Sequence, residues 1–203
     1  MATAASEDTA ARILEAGIAC FAERGFDGAS TRALAAAAGV NVATLAYHFK
    51  GKEGLYEAAV DRIYARLRAL VPGLTFPEGA DARARVDAIV RLAWRFLRAH
   101  RTEVRLLLRH VLEHGRLPGR VHDRWLADLL DQAGWAWALL GLPPDPAWRL
   151  HLLTLNHLLA RYAISDDADL RPFAPDADPA DPSALDAAVE DHLAGAACRL
   201  LGV

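Results

Sequence analysis

The chain has 203 residues, of which 53% are hydrophobic and 24% are charged. Its 23 basic and 26 acidic side chains give a formal net charge of -3. This charge excludes a protein whose whole surface is basic, so any binding of nucleic acid must come from a local patch. The length allows one or two domains with a sizeable core. Ala, Leu and Arg are abundant and β-branched and aromatic residues are few, so we predict an all-α fold.

The sequence carries no sign of export or membrane insertion. The N-terminal segment MATAASEDTA is polar and acidic, unlike a signal peptide, and no apolar run approaches the roughly 18 residues of a membrane span. Cys20 and Cys198 stand far apart in apolar helical patterns, so we expect two buried free thiols. These features predict a cytoplasmic protein that does not contact a membrane.

Hydrophobic periodicity predicts four helices in the first part of the chain, at about 6–25, 30–38, 42–48 and 52–70. Ser6 is the candidate N-cap of the first helix, and Gly25 ends it. Ser30 is the candidate N-cap of the second helix, and Gly39 supplies the turn that follows it. Pro72 ends the fourth helix.

The segment 72–79 contains two prolines and two glycines, and we interpret it as a link between domains. After it, the pattern predicts helices at about 81–100, 103–114, 121–140, 146–164 and 183–201. The segment 166–182 has six aspartates and four prolines, which predicts a solvated, mobile surface loop.

The second and third helices with their glycine turn form a helix-turn-helix pattern. The small residues Ala35, Ala37 and Ala38 allow the two helices to approach closely, and Val40 and Leu45 are expected to fill the core behind the turn. Four side chains then face outward: Asn41, Ala43, Thr44 and Tyr47. Such a face fits the major groove of DNA, where hydroxyls and small apolar groups contact base edges and thymine methyls.

Residues 30–60, STRALAAAAGVNVATLAYHFKGKEGLYEAAV, resemble the signature of TetR/AcrR-type transcriptional regulators. The matching steps, in order, are Phe21 with Gly25-Phe26, Leu34-Ala35, Ala38-Gly39-Val40, Thr44-Leu45, Tyr47-His48-Phe49 and Lys52-Glu53-Gly54-Leu55. The resemblance covers residues 8–60. Many family members carry two consecutive aromatics before the His, whereas this chain has Ala46 in the first of those positions.

The resemblance implies a helix-turn-helix DNA-binding domain at 1–52 and a larger ligand-binding and dimerisation domain at 53–203. Ser30 and the N–H groups beside it would bind one phosphate, and Lys52 would bind another. Tyr47 and His48 would contact the DNA backbone. The bases would be approached by Asn41, Val42, Ala43 and Thr44. The predicted DNA-facing set is completed by Thr31, Arg32 and Lys50.

Residues 81–203 lack a nucleophile elbow, a Gly-rich phosphate loop and a zinc signature, so we expect neither an enzyme nor a cofactor. The resemblance implies that this region senses a small molecule and forms a homodimer. Its five tryptophans suggest a hydrophobic or aromatic effector. The candidate ligand-binding residues are Trp94, Arg105, Arg109, His110, Trp125, Asn156, His157 and Arg161.

The resemblance places the homodimer in a bundle of the two long C-terminal helices. Each of these helices carries an apolar stripe suited to such a seam. The first stripe consists of Leu150, Leu153, His157, Ala160 and Ile164, and the second of Leu185, Val189, His192, Ala196 and Leu200.

The leading hypothesis is a ligand-responsive repressor that is released from a palindromic operator by its effector. A first alternative is a helical metal-binding sensor or enzyme that uses His110, His114 and His157, because His110 and His114 are four residues apart and share one helix face. A second alternative keeps the fold but treats the helix-turn-helix as an interaction module without DNA binding. The expected partners are double-stranded DNA, a small-molecule effector and a second copy of the chain.

Overall fold

The computed structural model describes residues 2–70, 74–115, 123, 127, 130–131, 134–135, 137–181 and 183–203. Within these ranges the chain forms helices and loops without a β-strand, which confirms the predicted all-α fold. The helices with described bounds are α1 (Ala2–Gly28), α2 (Thr31–Ala37), α3 (Val42–Phe49), α4 (Lys52–Leu70), α5 (Ala82–Ala99), α6 (Arg101–His114), α7 (Trp148–Ala163), α8 (Asp167–Leu170) and α9 (Ala184–Leu201).

The chain divides into two compact units, and each unit is assembled from two separate stretches of sequence. The first unit comprises Met1–Pro72 and Thr102–Leu126, and the second comprises Gly73–Arg101 and Ala127–Val203. All of α6 except its first residue therefore packs with the N-terminal helices. These units are defined by packing alone. The boundary at residue 52 between a DNA-binding domain and a ligand-binding domain stays a prediction.

Most predicted helices match the observed ones to within a few residues, but the start of α1 differs. Ser6 lies inside this helix, because the alanine-rich residues before it extend the helix back to Ala2, so the predicted capping role of Ser6 is wrong. Gly25 interrupts the helical geometry with φ 75° and ψ 172°, as expected of the residue that ends the regular helix. The predicted helix at 121–140 lies largely outside the described residues.

The core of the first unit forms where α1, α2, α3, α4 and α6 contribute large apolar side chains. Five of these side chains are at most 1% exposed: Phe21, Leu34, Leu45, Leu55 and Leu106. The rings of Phe21 and Tyr56 pack edge to face with centroids 5.2 Å apart. One continuous core therefore fixes the helix-turn-helix pair on α1 and α4.

A buried carboxylate connects α6 with α4 in the same unit. Glu103 is buried and accepts a hydrogen bond from Arg66 at 2.8 Å, and its Oε1 lies 3.8 Å from Nη2 of Arg62. Arg62 also pairs with Glu15 on α1. The hydrogen bond from Arg62 lowers the pKa of Glu15 below its ordinary value. The network joins three helices through charged groups at the border of the apolar core.

The core of the second unit forms where α5 and α7 meet α9. It contains the largest fully buried side chain of the described residues, Trp94, together with Leu185 and Cys198. Glu190 on α9 is also buried, and it accepts hydrogen bonds from Arg95 at 2.7 Å and from Arg91 at 3.3 Å. Both cysteines are buried and free, as predicted.

The aspartate-rich segment after α7 is more ordered than expected. The prediction of a mobile loop at 166–182 is wrong for its first half, which contains α8 and a 3₁₀ turn at Arg171–Phe173. Arg98 of α5 explains this order: it pairs with Asp167 and with Asp186, and it donates to the main-chain carbonyl of Ser165 at 2.9 Å. The segment is therefore held against the helices of its own unit.

The two apolar stripes predicted for a dimer seam have different surroundings. On α7, Leu150 is 65% exposed, and Leu153 and His157 are also exposed, as a seam requires. On α9, Leu185 and Val189 lie in the core of their own unit, so the second stripe is wrong at those positions. None of the described helices is both long enough and apolar enough to cross a bilayer.

Candidate nucleic-acid interface

The candidate interface begins at the N-terminus of α2. Ser30 has extended backbone angles, φ -82° and ψ 151°, and its Oγ accepts a hydrogen bond from the N–H of Ala33 at 3.1 Å. Ser30 is therefore the N-cap of α2, as predicted from the sequence. Its neighbour Arg32 is exposed and Thr31 is half-buried, so both belong to the same surface.

The turn between α2 and α3 is tight and depends on Gly39. This residue has φ 64°, which a side chain rarely tolerates, and its N–H donates to the carbonyl of Ala36 at 3.0 Å. The N–H of Val40 then donates to the carbonyl of Ala35 at 3.0 Å. Ala35 and Ala38 are buried between the helices, while Ala37 is exposed and takes no part in the close approach that was predicted for it.

Asn41 is the N-cap of α3, a role that the sequence interpretation did not assign to it. Its Oδ1 accepts from the N–H of Thr44 at 2.8 Å and from the Thr44 hydroxyl at 3.0 Å. The cap fixes where α3 begins and holds both side chains at its exposed end. The signal was present in the sequence, because Asn before a short apolar helix is a common cap.

One side of α3 is anchored and the other is open to solvent. Leu45 is 0% exposed and packs in the core, whereas Tyr47 is 81% exposed and Val42 is 42% exposed. Ala43 is exposed too. The rings of Tyr47 and His48 meet edge to face with centroids 5.1 Å apart, which positions two aromatic side chains side by side at the end of the helix.

The junction between α3 and α4 is compressed. Lys50 caps α3 in the left-handed region at φ 59°, and its N–H donates to the carbonyl of Ala46 at 2.8 Å. A Cβ at Gly54 would lie only 1.9 Å from the carbonyl oxygen of Phe49, so a glycine is required there. Sequence reasoning missed this requirement. Lys52 places its Nζ 4.2 Å from the centroid of the Phe26 ring.

Comparison with known proteins finds sequence relatives for the part of the chain that contains the helix-turn-helix. Residues 13–59 match the family model described as bacterial regulatory proteins of the tetR family. The probable HTH-type transcriptional regulator YttP of Bacillus subtilis is 45% identical over 53 residues, which are 26% of this chain and 26% of that protein. The match thus spans about a quarter of the length of this curated relative.

Solved structures resemble the chain over nearly its whole length. A bacterial regulatory protein in the tetR family from Rhodococcus RHA1 matches with a TM-score of 0.71 at 18% identity, covering 95% of this chain and 96% of that one. A TetR family member from Streptomyces coelicolor A3 matches with a TM-score of 0.65 at 23% identity, covering 94% and 89%. The chain therefore has the fold of these structures, and its residues 13–59 carry the sequence pattern of the tetR family.

The described residues that were predicted to bind an effector are divided between the two units. Trp94 is in the core of the second unit, and His110 is in the core of the first. Arg105, Asn156, His157 and Arg161 are exposed. Trp125 lies outside the described residues. The predicted ligand set therefore stays a prediction, with its described members distributed over two units.

Arg109 and His114 hold α6 against the end of α1. Arg109 donates to the carbonyl of Glu23 and to the carboxylate of Glu113, the latter at 2.7 Å, and Nε2 of His114 lies 3.0 Å from Oδ2 of Asp27. These contacts secure the segment that leads directly into α2. Sequence reasoning could not find them, because the partners are more than 80 residues apart.

The histidine pair of α6 is occupied by protein contacts. The rings of His110 and His114 stack with centroids 4.4 Å apart, and Nδ1 of His114 faces the carbonyl of His110 at 3.2 Å. Both ring nitrogens of His114 therefore have partners. Over the described part of the chain, no three His, Cys, Asp or Glu residues cluster in a way that could hold a metal ion. The metal-sensor alternative gains no support from this arrangement.

A groove of about 1020 Å³ lies in the second unit, beside the C-terminal end of α7. The segment 165–178 and the first half of α9 form its other walls. Its aromatic and large apolar lining consists of Tyr162, Leu170, Phe173, Val189 and His192. Arg161 is the member of the predicted ligand set that lines it. The 87% exposed ring of Phe173 stands at its edge.

Proposed function

We propose that the chain is a DNA-binding transcriptional regulator of the TetR family, and that it acts as a dimeric repressor released from its operator by a small hydrophobic or aromatic molecule. The observation that carries the proposal is the two-sided character of α3. Leu45 fixes this short helix to the core, and its opposite face, including Tyr47, is open to a partner. A helix presented in this way fits the major groove.

The chemistry of the open face suggests how it would read DNA. Val42 and Ala43 offer small apolar surfaces that suit thymine methyl groups, and Thr44 offers a hydroxyl. The helix has neither Arg nor Lys, so the bidentate reading of guanine is not expected from it. Sequence preference would instead come from apolar contacts and from the shape of the groove.

Phosphate contacts would surround this helix. Ser30 and the free N–H groups at the start of α2 form one anion-binding point, and Tyr47 with His48 would form a second. Lys50 and Lys52, the two lysines of the chain, follow immediately. Residues 1–60 carry five basic and seven acidic side chains, so affinity depends on these placed contacts and on binding by two copies.

The dimer is proposed from the exposed leucines of α7. Leu150, Leu153 and Leu158 are all more than a third exposed along one helix, and a second copy of the chain could cover these apolar side chains. A symmetric dimer would present two copies of α3 to successive major grooves, about 34–36 Å apart. The effector would act by favouring a dimer in which this spacing differs.

The proposal is tested by selecting genomic fragments on the purified full-length protein and measuring affinity for the enriched fragment by fluorescence anisotropy. Tyr47→Ala should weaken binding at least about tenfold, because an exposed contact to the DNA backbone is lost while folding is unaffected. Leu112→Ala is the matched control: it removes an 83% exposed side chain from α6 and should leave affinity unchanged.

Two further variants separate phosphate contacts from base contacts. Lys52→Ala should weaken all sequences about equally and reduce the salt dependence by about one phosphate contact, whereas Val42→Ala should change which sequences are preferred. Failure to enrich any fragment, or equal affinity of wild type and Tyr47→Ala, would refute the DNA-binding proposal. Effector release is tested separately, by adding hydrophobic and aromatic compounds to the preformed complex.

A further inference from the structure

The end of α1 places an aromatic ring beside the first residue of α4. Gly25 breaks the regular helix with φ 75°, a backbone geometry that a side chain rarely tolerates, and Phe26 follows directly. The ring of Phe26 meets that of Tyr56 on α4 edge to face, with centroids 5.1 Å apart, and Nζ of Lys52 lies over the Phe26 ring at 4.2 Å from its centroid. Phe26 therefore lies between the core of the first unit and a lysine of the candidate nucleic-acid interface.

Three aromatic neighbours hold the ring of Phe26 in place. Its centroid lies 6.0 Å from that of Phe21, 5.1 Å from that of Tyr56 and 5.8 Å from that of His110. All three neighbours are buried. Because they are themselves packed in the core, the Phe26 ring has little freedom to turn. It offers Lys52 a fixed surface.

Lys52 occupies an unfavourable position for a cation. It is the first residue of α4, and the N-terminal end of a helix carries a partial positive charge that repels an ammonium group. The face of an aromatic ring attracts an ammonium within about 6 Å of the ring centroid, and the distance to Phe26 is well inside this range. The contact with Phe26 therefore opposes the repulsion from the end of the helix.

We propose that Phe26 is a positioning residue for DNA binding, because its ring holds the ammonium of Lys52 at the N-terminus of α4, where a phosphate would meet both the ammonium and the helix end. Lysine has a long flexible side chain, and ordering it on binding costs conformational entropy. The ring orders the side chain beforehand and so removes part of this cost. Lys52 is only half-buried, and an ammonium has three N–H donors, so the ring leaves donors for a phosphate.

This inference rests on the proposed DNA binding and adds to it a residue that does not itself touch DNA. Two consequences separate a positioning role of Phe26 from ordinary packing. The effect of the ring on affinity should depend on the electrons of the ring rather than on its size, because the attraction to the ammonium is electrostatic. The effect should also disappear when Lys52 is absent.

The first test weakens the ring face while nearly preserving its shape. Phenylalanine with one, two or three ring fluorines is incorporated at position 26 of the full-length protein, since fluorine withdraws electrons from the ring. Affinity for the enriched genomic fragment should fall stepwise, by about two- to fivefold for the trifluorinated ring, as expected for the loss of one cation–π contact at a partly exposed site. Trifluorination of Phe173 is the control, because this ring is 87% exposed in the second unit and should have no effect.

The second test asks whether the effect of fluorination depends on Lys52. In a Lys52→Ala background, the fluorinated series at position 26 should leave affinity unchanged, because the cation is gone. Lys50→Ala is the matched control background: it removes the other, exposed lysine, and the stepwise loss should remain. A loss of affinity caused by altered packing of the ring would persist without Lys52, and that result would contradict the proposal.

A third measurement needs no DNA. Reductive methylation with ¹³C keeps the positive charge of the lysines and labels Lys50 and Lys52, the two lysines of the chain, together with the N-terminal amine. The methyl signals of Lys52 should lie upfield of those of Lys50, because groups over the face of an aromatic ring are shielded by its ring current. Lys50→Arg and Lys52→Arg variants assign the signals, and Phe26→Leu should abolish the shift.

The outcomes distinguish this inference from the proposed function. If Lys52→Ala weakens binding to the enriched fragment but fluorination at position 26 does not, Phe26 does not position Lys52 while the DNA-binding proposal stands. Unshifted methyl signals of Lys52, or a Lys52→Ala variant that binds as wild type does, would overturn the inference in the same way. If no fragment is enriched, the inference and the DNA-binding proposal both fail.

Discussion

At the scale of single residues, the structure requires a glycine at position 54, because no side chain fits there. The sequence contains the Lys-Glu-x-Leu step of the family, and nothing in that pattern distinguishes glycine from any other residue at x. The requirement arises only in three dimensions, because α4 begins so close to the end of α3 that the carbonyl of Phe49 occupies the space of a Cβ.

Gly54→Ala should therefore destabilise the first unit by about 2–3 kcal/mol, since the backbone has to shift to accommodate one methyl group. Gly28→Ala is the matched control. It lies near the end of α1, where a Cβ would make an ordinary contact at 3.5 Å with Arg24. Urea unfolding of the two variants should show a loss for the first and little change or a gain for the second. Equal stabilities would contradict the crowded junction.

A second constraint at this scale is the buried histidine of α6. His110 packs its ring against Phe26 and Tyr56, and its Nδ1 is buried without a hydrogen-bond partner among the described residues. Burial, assisted by the charge of His114, lowers the pKa of His110 below its ordinary 6.5. The carboxylates of Glu113 and Asp27 act in the opposite direction but do not outweigh burial.

The sign of the pH effect follows from this shift. Below pH 6.5 the unfolded chain binds a proton at His110 and the folded chain does not, so stability is lost as the pH falls from 6.5 through the lowered pKa. His110→Leu should therefore lose less stability than wild type between pH 7.5 and pH 5. The comparison requires urea unfolding of both proteins at several pH values.

His114→Gln is the control for this experiment, because it acts with the opposite sign. The hydrogen bond with Asp27 raises the pKa of His114, so its stabilising contribution is present below pH 6.5 and is lost as the pH rises through the raised value. The deficit of His114→Gln against wild type should shrink as the pH rises. If His110→Leu follows the wild-type pH profile, His110 is not the group responsible.

At the scale of elements, the helices themselves were predictable and their partners were not. Ser30, Gly39 and the spacing of Leu34 and Leu45 are local signals, and the structure confirms the helices, the cap and the turn that they predict. The helices that α6 packs against could not be predicted in this way. Its contacts with α1 and α4 depend on Glu103, Arg109 and His114, whose partners are separated from them by 37 to 87 residues.

The predicted dimer stripes illustrate the same limit. Helical spacing correctly groups Leu185 and Val189 on one face of α9, but it cannot say whether that face meets the chain's own core or a second chain. The structure places both in the core with Trp94. On α7 the apolar residues occupy more than one face, and Leu150 and Leu153 remain outside.

Glu103 provides the test of how α6 is attached. Glu103→Gln should cost about 1–3 kcal/mol of unfolding free energy, because Arg66 and Arg62 would lose a buried counter-charge in a partly solvent-exposed network. Glu53→Gln is the control, since Glu53 is exposed at the start of α4. Urea unfolding at pH 7 gives the comparison. A Glu103→Gln variant as stable as wild type would mean that apolar contacts alone hold α6.

At the scale of the whole molecule, the first compact unit is discontinuous in sequence. The resemblance placed a domain boundary at residue 52, in line with the part of the chain that carries the recognisable pattern. That pattern ends near residue 60, whereas the core continues through α4 and is completed by Leu106 of α6.

A fragment containing residues 1–52 should therefore fail to fold cooperatively, because it lacks Leu55, Tyr56 and Leu106, which are at most 1% exposed in the whole chain. A fragment of residues 1–72 should regain helicity but remain markedly less stable than the full chain. Circular dichroism and thermal melts of the two fragments beside the full-length protein check this. A stable, cooperative melt of the 1–52 fragment would show that the DNA-binding domain ends where the resemblance suggests.

The separation of buried and exposed positions on α3 also affects how this protein can evolve. Leu45 is fully buried, whereas the outward positions Val42, Ala43 and Tyr47 are exposed and contribute much less to the packing. Substitutions on the outward face should therefore change folding little, so under the function proposed above, duplicated copies of the gene could acquire new DNA-sequence preferences and still fold. The same property makes α3 a suitable place for a randomised library, in which altered operator choice could be selected with little loss of soluble protein.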